Sequence, residues 1–184
     1  MSIRAFIAVD ISPTRELLSF HAALDAVGKG LKTVGEDSTH VTLKFLGEVG
    51  EDRLPSIEEC MKAAAVDVRP FEVVVKGAGV FPSRSKARVV WAGLEGAEPM
   101  ALMVARLEDC LELLGFPKEG RDFMPHLTLA RVKDPRVSSR AAAIADGLKE
   151  VEFGRQLVSE ILLKKSVLSS RGPTYSNVLS VSLV

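Results

Sequence analysis

The sequence predicts an α+β fold with antiparallel sheets, in which residues 1–184 form a single domain. Segments rich in β-branched residues alternate with helical patterns along the chain. Two pairs of these segments, 71–79 with 87–94 and 156–168 with 175–183, are joined by short connections. Short connections are typical of antiparallel strands, whereas a doubly wound parallel sheet needs a helical crossover at each step. No linker divides the chain.

In the first part of the chain, two strands and two helices are predicted. Residues 3–9 form an apolar run that predicts the first strand. Ser12 and Pro13 then resemble a helix start, with Ser12 as the N-cap and Pro13 at the first helical position. A strand over 39–46 and a helix over 55–65 follow.

The second part predicts a hairpin, two further helices and three further strands. A polar, basic loop joins the hairpin strands 71–79 and 87–94. The remaining elements are a helix over 98–114, a strand over 124–132, an Ala-rich helix over 138–149, and two final strands over 156–168 and 175–183. The turn Ser170-Arg171-Gly172-Pro173 separates the last two strands.

Composition limits the possible classes of function. A hydrophobic content of 47% with 26% charged residues is that of an ordinary soluble globular protein. The net charge of zero argues against a protein that coats long nucleic acid, but it is compatible with a small anionic ligand held by local cations. No apolar run reaches the roughly 18 residues of a membrane span. We therefore expect no membrane association.

The two cysteines, Cys60 and Cys110, lie in separate helical segments, and neither belongs to a C-x-x-C motif or a Cys/His cluster. This argues against a zinc site. We expect two free, buried or partly buried thiols in a reducing compartment, and hence a cytoplasmic protein.

The tetrapeptide His-x-Thr-Leu occurs twice, as His40-Val41-Thr42-Leu43 and as His126-Leu127-Thr128-Leu129, although the chain has only 3 histidines. The two copies are about half the chain apart, which indicates an internal duplication of a strand-helix-strand unit. A single His-x-Thr on a strand is more often structural than functional. Core packing, however, gives no reason to repeat His and Thr in the same frame. His21, by contrast, falls on a helix and is predicted to be structural.

Strand periodicity predicts how the motifs are oriented. Residues two apart share a face, so His40 and Thr42 point one way while their apolar neighbours anchor the core, and His126 and Thr128 do the same. If both polar faces line one groove, the two imidazoles could hold a tetrahedral anion between them, with hydrogen bonds from the two hydroxyls. A neutral imidazole can take a proton from water while a protonated one donates to a leaving oxygen.

A fifth candidate is Arg131, which would add a charge-assisted phosphate contact if the strand end turns toward the groove. No carboxylate-rich ligand cluster accompanies either motif histidine, so the chemistry requires no metal and we expect no cofactor. The sequence contains no phosphate-binding loop, dinucleotide fingerprint or nucleophile elbow.

At these residues the sequence resembles the two-histidine (2H) phosphoesterase superfamily. Within it, the chain is most similar to the RNA 2′,3′-cyclic phosphodiesterase family, also called the 2′-5′ RNA ligase or LigT-like family. The similarity covers the opening strand at 4–10, the first motif with its trailing Phe-Leu-Gly at 40–47, the second motif at 125–131, and a closing segment at 168–175 that contains Gly-Pro-x-Tyr.

The resemblance implies a bilobal α+β fold with two antiparallel-rich sheets, outer helices and pseudo-two-fold symmetry around a central cleft. It implies metal- and ATP-independent opening of an RNA-terminal 2′,3′-cyclic phosphate to a 2′-phosphate. By analogy His40 would protonate the 3′ oxygen, His126 would activate water, and Thr42, Thr128 and Arg131 would hold the phosphate. The motif is symmetric, so the residues themselves leave the acid and base assignment open.

The resemblance also implies that the partners are RNA ends or nucleotides with a 2′,3′-cyclic phosphate, and we expect a monomer. Two alternatives stay open. The protein could join tRNA halves reversibly through a 2′-5′ linkage, with a 5′-hydroxyl in place of water. It could also be a non-catalytic module that binds nucleotides or RNA ends, although binding alone needs neither an acid nor a base.

Overall fold

The computed structural model describes residues 1–35, 39–169 and 172–184. Its strands are β1 (Ser2–Asp10), β2 (Leu31–Thr33), β3 (His40–Gly50), β4 (Phe71–Phe81), β5 (Val89–Glu95), β6 (His126–Val132), β7 (Glu152–Val158), β8 (Glu160–Ser169) and β9 (Gly172–Ser182). Its helices are α1 (Arg15–Asp25), α2 (Leu54–Ala65), α3 (Glu98–Leu113) and α4 (Ser138–Asp146). Within these ranges, no helix is both long and apolar enough to cross a membrane.

The strands form a sheet in the order β7-β4-β5-β6-β3-β1-β8-β9, with β2 added beside β6. Neighbouring strands in it are antiparallel, which confirms the predicted α+β class. The two motif strands, β3 and β6, are adjacent at the centre, and Val41 opposite Leu127 is the residue pair that joins them. In place of the two expected sheets there is one sheet with two four-stranded halves, β7-β4-β5-β6 and β3-β1-β8-β9, which meet at this pair.

Helix α1 begins later than predicted. Its N-cap is Thr14, whose hydroxyl accepts a hydrogen bond from the Leu17 amide at 3.2 Å, so the prediction of Ser12 as N-cap and Pro13 as first helical residue is wrong. A tertiary contact explains the difference. The Thr14 hydroxyl donates to the carbonyl of Phe153 on β7, and the Ser12 amide donates to the side chain of Gln156 at 2.6 Å. Strand β7 therefore holds this segment extended up to Thr14.

Other differences lie in the strands. The single strand predicted over 156–168 is two strands, β7 and β8, with a break at Ser159. The short strand β2 was not predicted, because three residues carry too little periodicity to be recognised. In the turn predicted at 170–173, Ser170 and Arg171 lie outside the described residues.

The two cysteines form a disulfide, so the prediction of free thiols is wrong. Cys60 on α2 and Cys110 on α3 have Cα atoms 5.6 Å apart, within the range that a disulfide spans. The two helices pack against each other, a juxtaposition that sequence spacing alone does not reveal.

The third histidine, His21, is buried on α1, as predicted for a structural residue. Its Nε2 contacts the carbonyl oxygen of Val34, which follows β2. Because a carbonyl can only accept, Nε2 carries the hydrogen in this contact. His21 therefore ties α1 to Val34, the residue that follows β2.

Candidate active site

The four polar residues of the two motifs lie on one face at the centre of the sheet. Val41 and Leu127, which face each other across the β3–β6 junction, are buried in the core. Because side chains alternate along a strand, His40, Thr42, His126 and Thr128 point to the opposite face, where all four are half-buried. The structure thus brings both His-x-Thr pairs together on what we call the cleft face.

Each motif strand carries a β-bulge at the same place. Lys44 and Thr42 on β3 pair with the consecutive residues Ile7 and Ala8 of β1, so Leu43 is the extra residue. On β6, Leu129 is the extra residue opposite β5 in the same way. A bulge places two residues against one and shifts the alternation that follows.

The bulges determine which later residues reach the cleft. The residues directly after them, Lys44 and Ala130, are buried on the core side, and the next residues, Phe45 and Arg131, are exposed on the cleft face. Arg131 therefore lies on the cleft face, which was the condition for a phosphate contact. Phe45, 59% exposed, occupies the equivalent position in the other half and was not predicted as a site residue.

Aromatic rings surround the His40 imidazole. Its centroid lies 4.9 Å from that of Phe6 and 5.1 Å from that of Tyr175, which meets it edge-on. Phe6 and Tyr175 are themselves 5.2 Å apart. Phe6 is buried, and it supports the imidazole from below the cleft surface. The small Ala8, opposite Thr42, leaves room for His40 to lean toward Phe6.

The His126 imidazole is fixed by a backbone contact. Its Nδ1 lies 2.8 Å from the carbonyl oxygen of Met124. Because a carbonyl oxygen can only accept, Nδ1 carries the hydrogen, and in the neutral ring Nε2 is then the proton acceptor. Phe81 meets the imidazole edge-on at 5.2 Å and stacks on Trp91, also at 5.2 Å. The Trp91 ring lies over Gly79, where a Cβ atom would overlap it.

Tyr175 lies between charged groups on the cleft face. Burial raises the pKa of its phenol above the ordinary value, while the nearby guanidinium groups of Arg131 and Arg4 lower it by less. The phenol therefore stays protonated near neutral pH and can donate a hydrogen bond. Among the described residues, neither arginine has a carboxylate within ion-pair distance.

A partly buried ionic network supports the His40 side of the cleft. The Lys164 ammonium lies 2.7 Å from both carboxylate oxygens of Asp10 and 2.9 Å from the side-chain oxygen of Asn177. Asp10 faces His40 across β1 and β3, and Asn177 is two residues beyond Tyr175 on β9. The network therefore ties together β1, β8 and β9, and so the strands that carry Phe6 and Tyr175, the two rings around His40.

A second buried ion pair lies behind the first motif. The Lys44 ammonium is 2.8 Å from both carboxylate oxygens of Glu108 on α3 and 2.6 Å from the Pro117 carbonyl. Glu108 also accepts from the Glu119 amide at 3.2 Å. These contacts join the first motif strand to the segment that leads from α3 to His126.

Sequence reasoning found the motif residues and missed most of their surroundings. The sequence indicates Tyr175 only as part of the closing Gly-Pro-x-Tyr segment, and it does not single out Phe81, Trp91 or Lys164. The segment containing Tyr175 was the one usable signal, because an aromatic residue in a recurrent motif suggests a site. The described residues contain no group of three or more His, Cys, Asp or Glu side chains that could hold a metal ion.

The sequence profile of the LigT-like phosphoesterases matches residues 7–91 and 94–175. The chain belongs to the LigT-like phosphoesterase family. It is 39% identical over 180 residues to a protein of Methanothermobacter thermautotrophicus named RNA 2′,3′-cyclic phosphodiesterase, with 97% of each chain covered. A relative of the same name from Archaeoglobus fulgidus is 34% identical over 96% of this chain and 98% of its own.

Solved structures agree on the fold. The TT0787 protein of Thermus thermophilus matches with a TM-score of 0.77 and 30% identity, with 98% of each chain covered. The structure of E. coli LigT complexed with 3′-AMP matches with a TM-score of 0.73 over 100% of this chain and 99% of its own. At 22% identity, that second match shows the fold alone.

Proposed function

We propose that this protein hydrolyses RNA-terminal 2′,3′-cyclic phosphates to 2′-phosphates. The observation that carries the proposal is the placement of two His-x-Thr pairs on one face, across the single junction between β3 and β6. The proposal is supported by relatives of nearly equal length that carry the name RNA 2′,3′-cyclic phosphodiesterase.

The proposed reaction is an acid–base displacement at phosphorus. A water oxygen bonds to the phosphorus as its proton passes to Nε2 of His126, and the bond from phosphorus to the 3′ oxygen breaks as His40 donates a proton to that oxygen. The product is a 2′-phosphate with a free 3′-hydroxyl. The contact between His126 Nδ1 and the Met124 carbonyl supports the base role, because it leaves Nε2 as the acceptor.

The phosphate is held by neutral and charged donors. We assign the Thr42 and Thr128 hydroxyls to its non-bridging oxygens and the Arg131 guanidinium to the charge that develops in the transition state. The protonated Tyr175 phenol, beside His40, is a further donor. The exposed Phe45 ring offers a surface on which a base can stack.

Further parts of the proposal concern the setting of the enzyme. Residues 1–184 would act as one domain of two pseudo-symmetric lobes and as a monomer. The cytoplasmic location expected from free thiols loses its basis, because the two cysteines form a disulfide. Reversible 2′-5′ ligation would use the same groups with a 5′-hydroxyl in place of water. Because water is present in large excess, we expect hydrolysis as the net direction.

The test uses purified, EDTA-treated protein with a 2′,3′-cyclic mononucleotide and with an oligonucleotide that ends in a cyclic phosphate. We expect a 2′-phosphate product from both substrates. His40→Ala and His126→Ala should each lower kcat by a factor of about 100 to 10,000, the usual scale of acid–base catalysis. His21→Gln removes the third imidazole and should leave kcat unchanged per folded molecule. Absence of product from both substrates, with binding retained, would instead favour a non-catalytic module.

A further inference from the structure

The strand β2 places a second cation beside Arg131. Strand β2 pairs antiparallel with β6, and Lys32 is directly opposite Arg131 in this pairing. Side chains that face each other across an antiparallel pair emerge on the same side of the sheet, with Cβ atoms about 4.5 to 5.5 Å apart. On its other edge Arg131 faces Val89 of β5, so the row across the sheet is Val89, Arg131 and Lys32.

The neighbours of Lys32 independently indicate which way it points. Thr33 donates a hydrogen bond to the Asp25 carboxylate on α1 at 2.6 Å, and Leu31 packs against the hydrophobic core. Both therefore face the helices. Because side chains alternate along a strand, Lys32 faces the opposite side, which is the cleft face. Its side chain is exposed there.

The charges around Lys32 favour an anion. Like charges directly opposite each other on a sheet are destabilising. Among the residues that the structure describes, no carboxylate lies within ion-pair distance of Lys32 or Arg131. The cationic pair thus lacks a protein counter-ion in the described chain, and a bound phosphate would offset the repulsion.

Position along the strands separates Lys32 from the reacting phosphate. On β5, the partner of Thr128 is Trp91 and the partner of Arg131 is Val89. The two rows are therefore about 7 Å apart, two strand residues at roughly 3.3 Å each. Arg131 can reach inward from its row toward the hydroxyls. Lys32 is one strand farther across, and the His40 ring leans the other way, toward Phe6.

Resting on the proposed function, we propose that Lys32 binds the phosphodiester that precedes the terminal nucleotide of the RNA. Arg131 would hold the cyclic phosphate, and Lys32 would hold the next phosphate along the chain. Lys32 is thus a specificity-determining residue that favours RNA ends over mononucleotides.

The test compares two dinucleotides that both end in a 2′,3′-cyclic phosphate. One has an ordinary phosphodiester between its nucleosides, and the other has a neutral methylphosphonate there. We expect the wild-type kcat/KM to be about five- to ten-fold higher for the charged linkage, the low end for an exposed charge-assisted contact. In Lys32→Gln this ratio should fall to near one. Lys29→Gln, at an exposed lysine in the turn before β2, is the matched control and should keep the wild-type ratio.

Two outcomes would overturn the assignment: an unchanged ratio in Lys32→Gln, or an equal loss on both linkages. The proposed function fails separately, if the wild type converts neither dinucleotide nor a cyclic mononucleotide. In that case equilibrium binding of the two 2′-phosphate-ended dinucleotides still decides the role of Lys32. The assignment would then require tighter binding of the charged linkage by the wild type, with that preference lost in Lys32→Gln.

Discussion

Replacing Lys44 with Met is expected to lower both stability and activity. The Lys44 side chain is 2% exposed and that of its partner Glu108 is 14% exposed, so both charges are largely removed from water. Lys44→Met keeps the aliphatic volume but leaves the Glu108 carboxylate without its ammonium. Breaking a buried pair from one side costs about 3 to 5 kcal/mol. The Glu108 carboxylate remains partly exposed to water and still accepts a hydrogen bond from the Glu119 amide. We therefore expect Lys44→Met to lose about 3 kcal/mol of stability, the lower end of this range.

Thermal unfolding followed by circular dichroism measures this effect. For a chain of this size, 1 kcal/mol shifts Tm by about 2 to 4 °C, so Lys44→Met should lower Tm by about 6 to 12 °C. Lys62→Met is the matched control. The Lys62 ammonium lies 3.0 Å from Glu58 and 2.9 Å from Glu59, distances much like those of Lys44, but its side chain is 50% exposed. The Tm of Lys62→Met should change little, because exposed ion pairs contribute little to the free energy of unfolding.

A double variant separates charge from packing. Lys44→Met with Glu108→Leu removes both charges, and it leaves the carbonyl of Pro117, an exposed residue, without the ammonium. Its Tm should therefore lie closer to the wild type than that of Lys44→Met. A Lys44→Met Tm within 2 °C of the wild type, at about the precision of the assay, would refute the reasoning. So would a double variant as unstable as the single one. Lys44 and Glu108 both hold the segment leading to His126, through the Pro117 carbonyl and the Glu119 amide. The double variant loses both contacts, so kcat should fall with Lys44→Met and stay low in the double variant.

Three further predictions concern the disulfide, the phenol and the aromatic stack. The 50-residue separation of Cys60 and Cys110 implies about 4 kcal/mol of stabilisation in the chain-entropy account, so reduction should lower Tm by about 8 to 16 °C; equal Tm values with and without reductant would contradict this. Tyr175 has a raised pKa in the folded state, so its contribution to stability is present below pH 10 and lost as pH rises through the folded pKa. The stability of Tyr175→Phe should therefore fall less steeply than that of the wild type as the pH rises above 10. In the wild type, the absorbance of this single tyrosine reports its titration directly, and a phenol that ionises at its ordinary pKa would count against the prediction. Gly79→Ala should displace the Trp91 ring and lower kcat without loss of folded protein, whereas unchanged kcat would show that the stack does not position the motif histidine.

Simple alternation was enough to predict the orientation of the motif residues. His40 and Thr42 share a face because a strand has a period of two, and the buried Val41 confirms the opposite face. Arg131 could be placed only conditionally, because the bulge at Leu129 shifts that alternation. Bulges depend on how two strands pair, and a single strand carries no signal for them.

Tertiary contacts account for the wrong predictions. Thr14, and not Ser12, caps α1 because β7 supplies a carbonyl to its hydroxyl. Cys60 and Cys110 are paired because α2 and α3 happen to be neighbours in space. Strand β2 and its residue Lys32 were missed for the same reason, since its pairing with β6 is non-local.

The two motif strands have the same bulge in their backbone and different chemistry after it. Phe45 and Arg131 follow equivalent bulges, yet one is an apolar ring and the other a cation. A nucleotide bound the wrong way round would set its sugar-phosphate chain on the phenyl ring and its base on the guanidinium. Under the proposed roles of Phe45 and Arg131, inverted binding would be unproductive, and this pair of unlike residues would give the cleft a direction for the bound RNA strand.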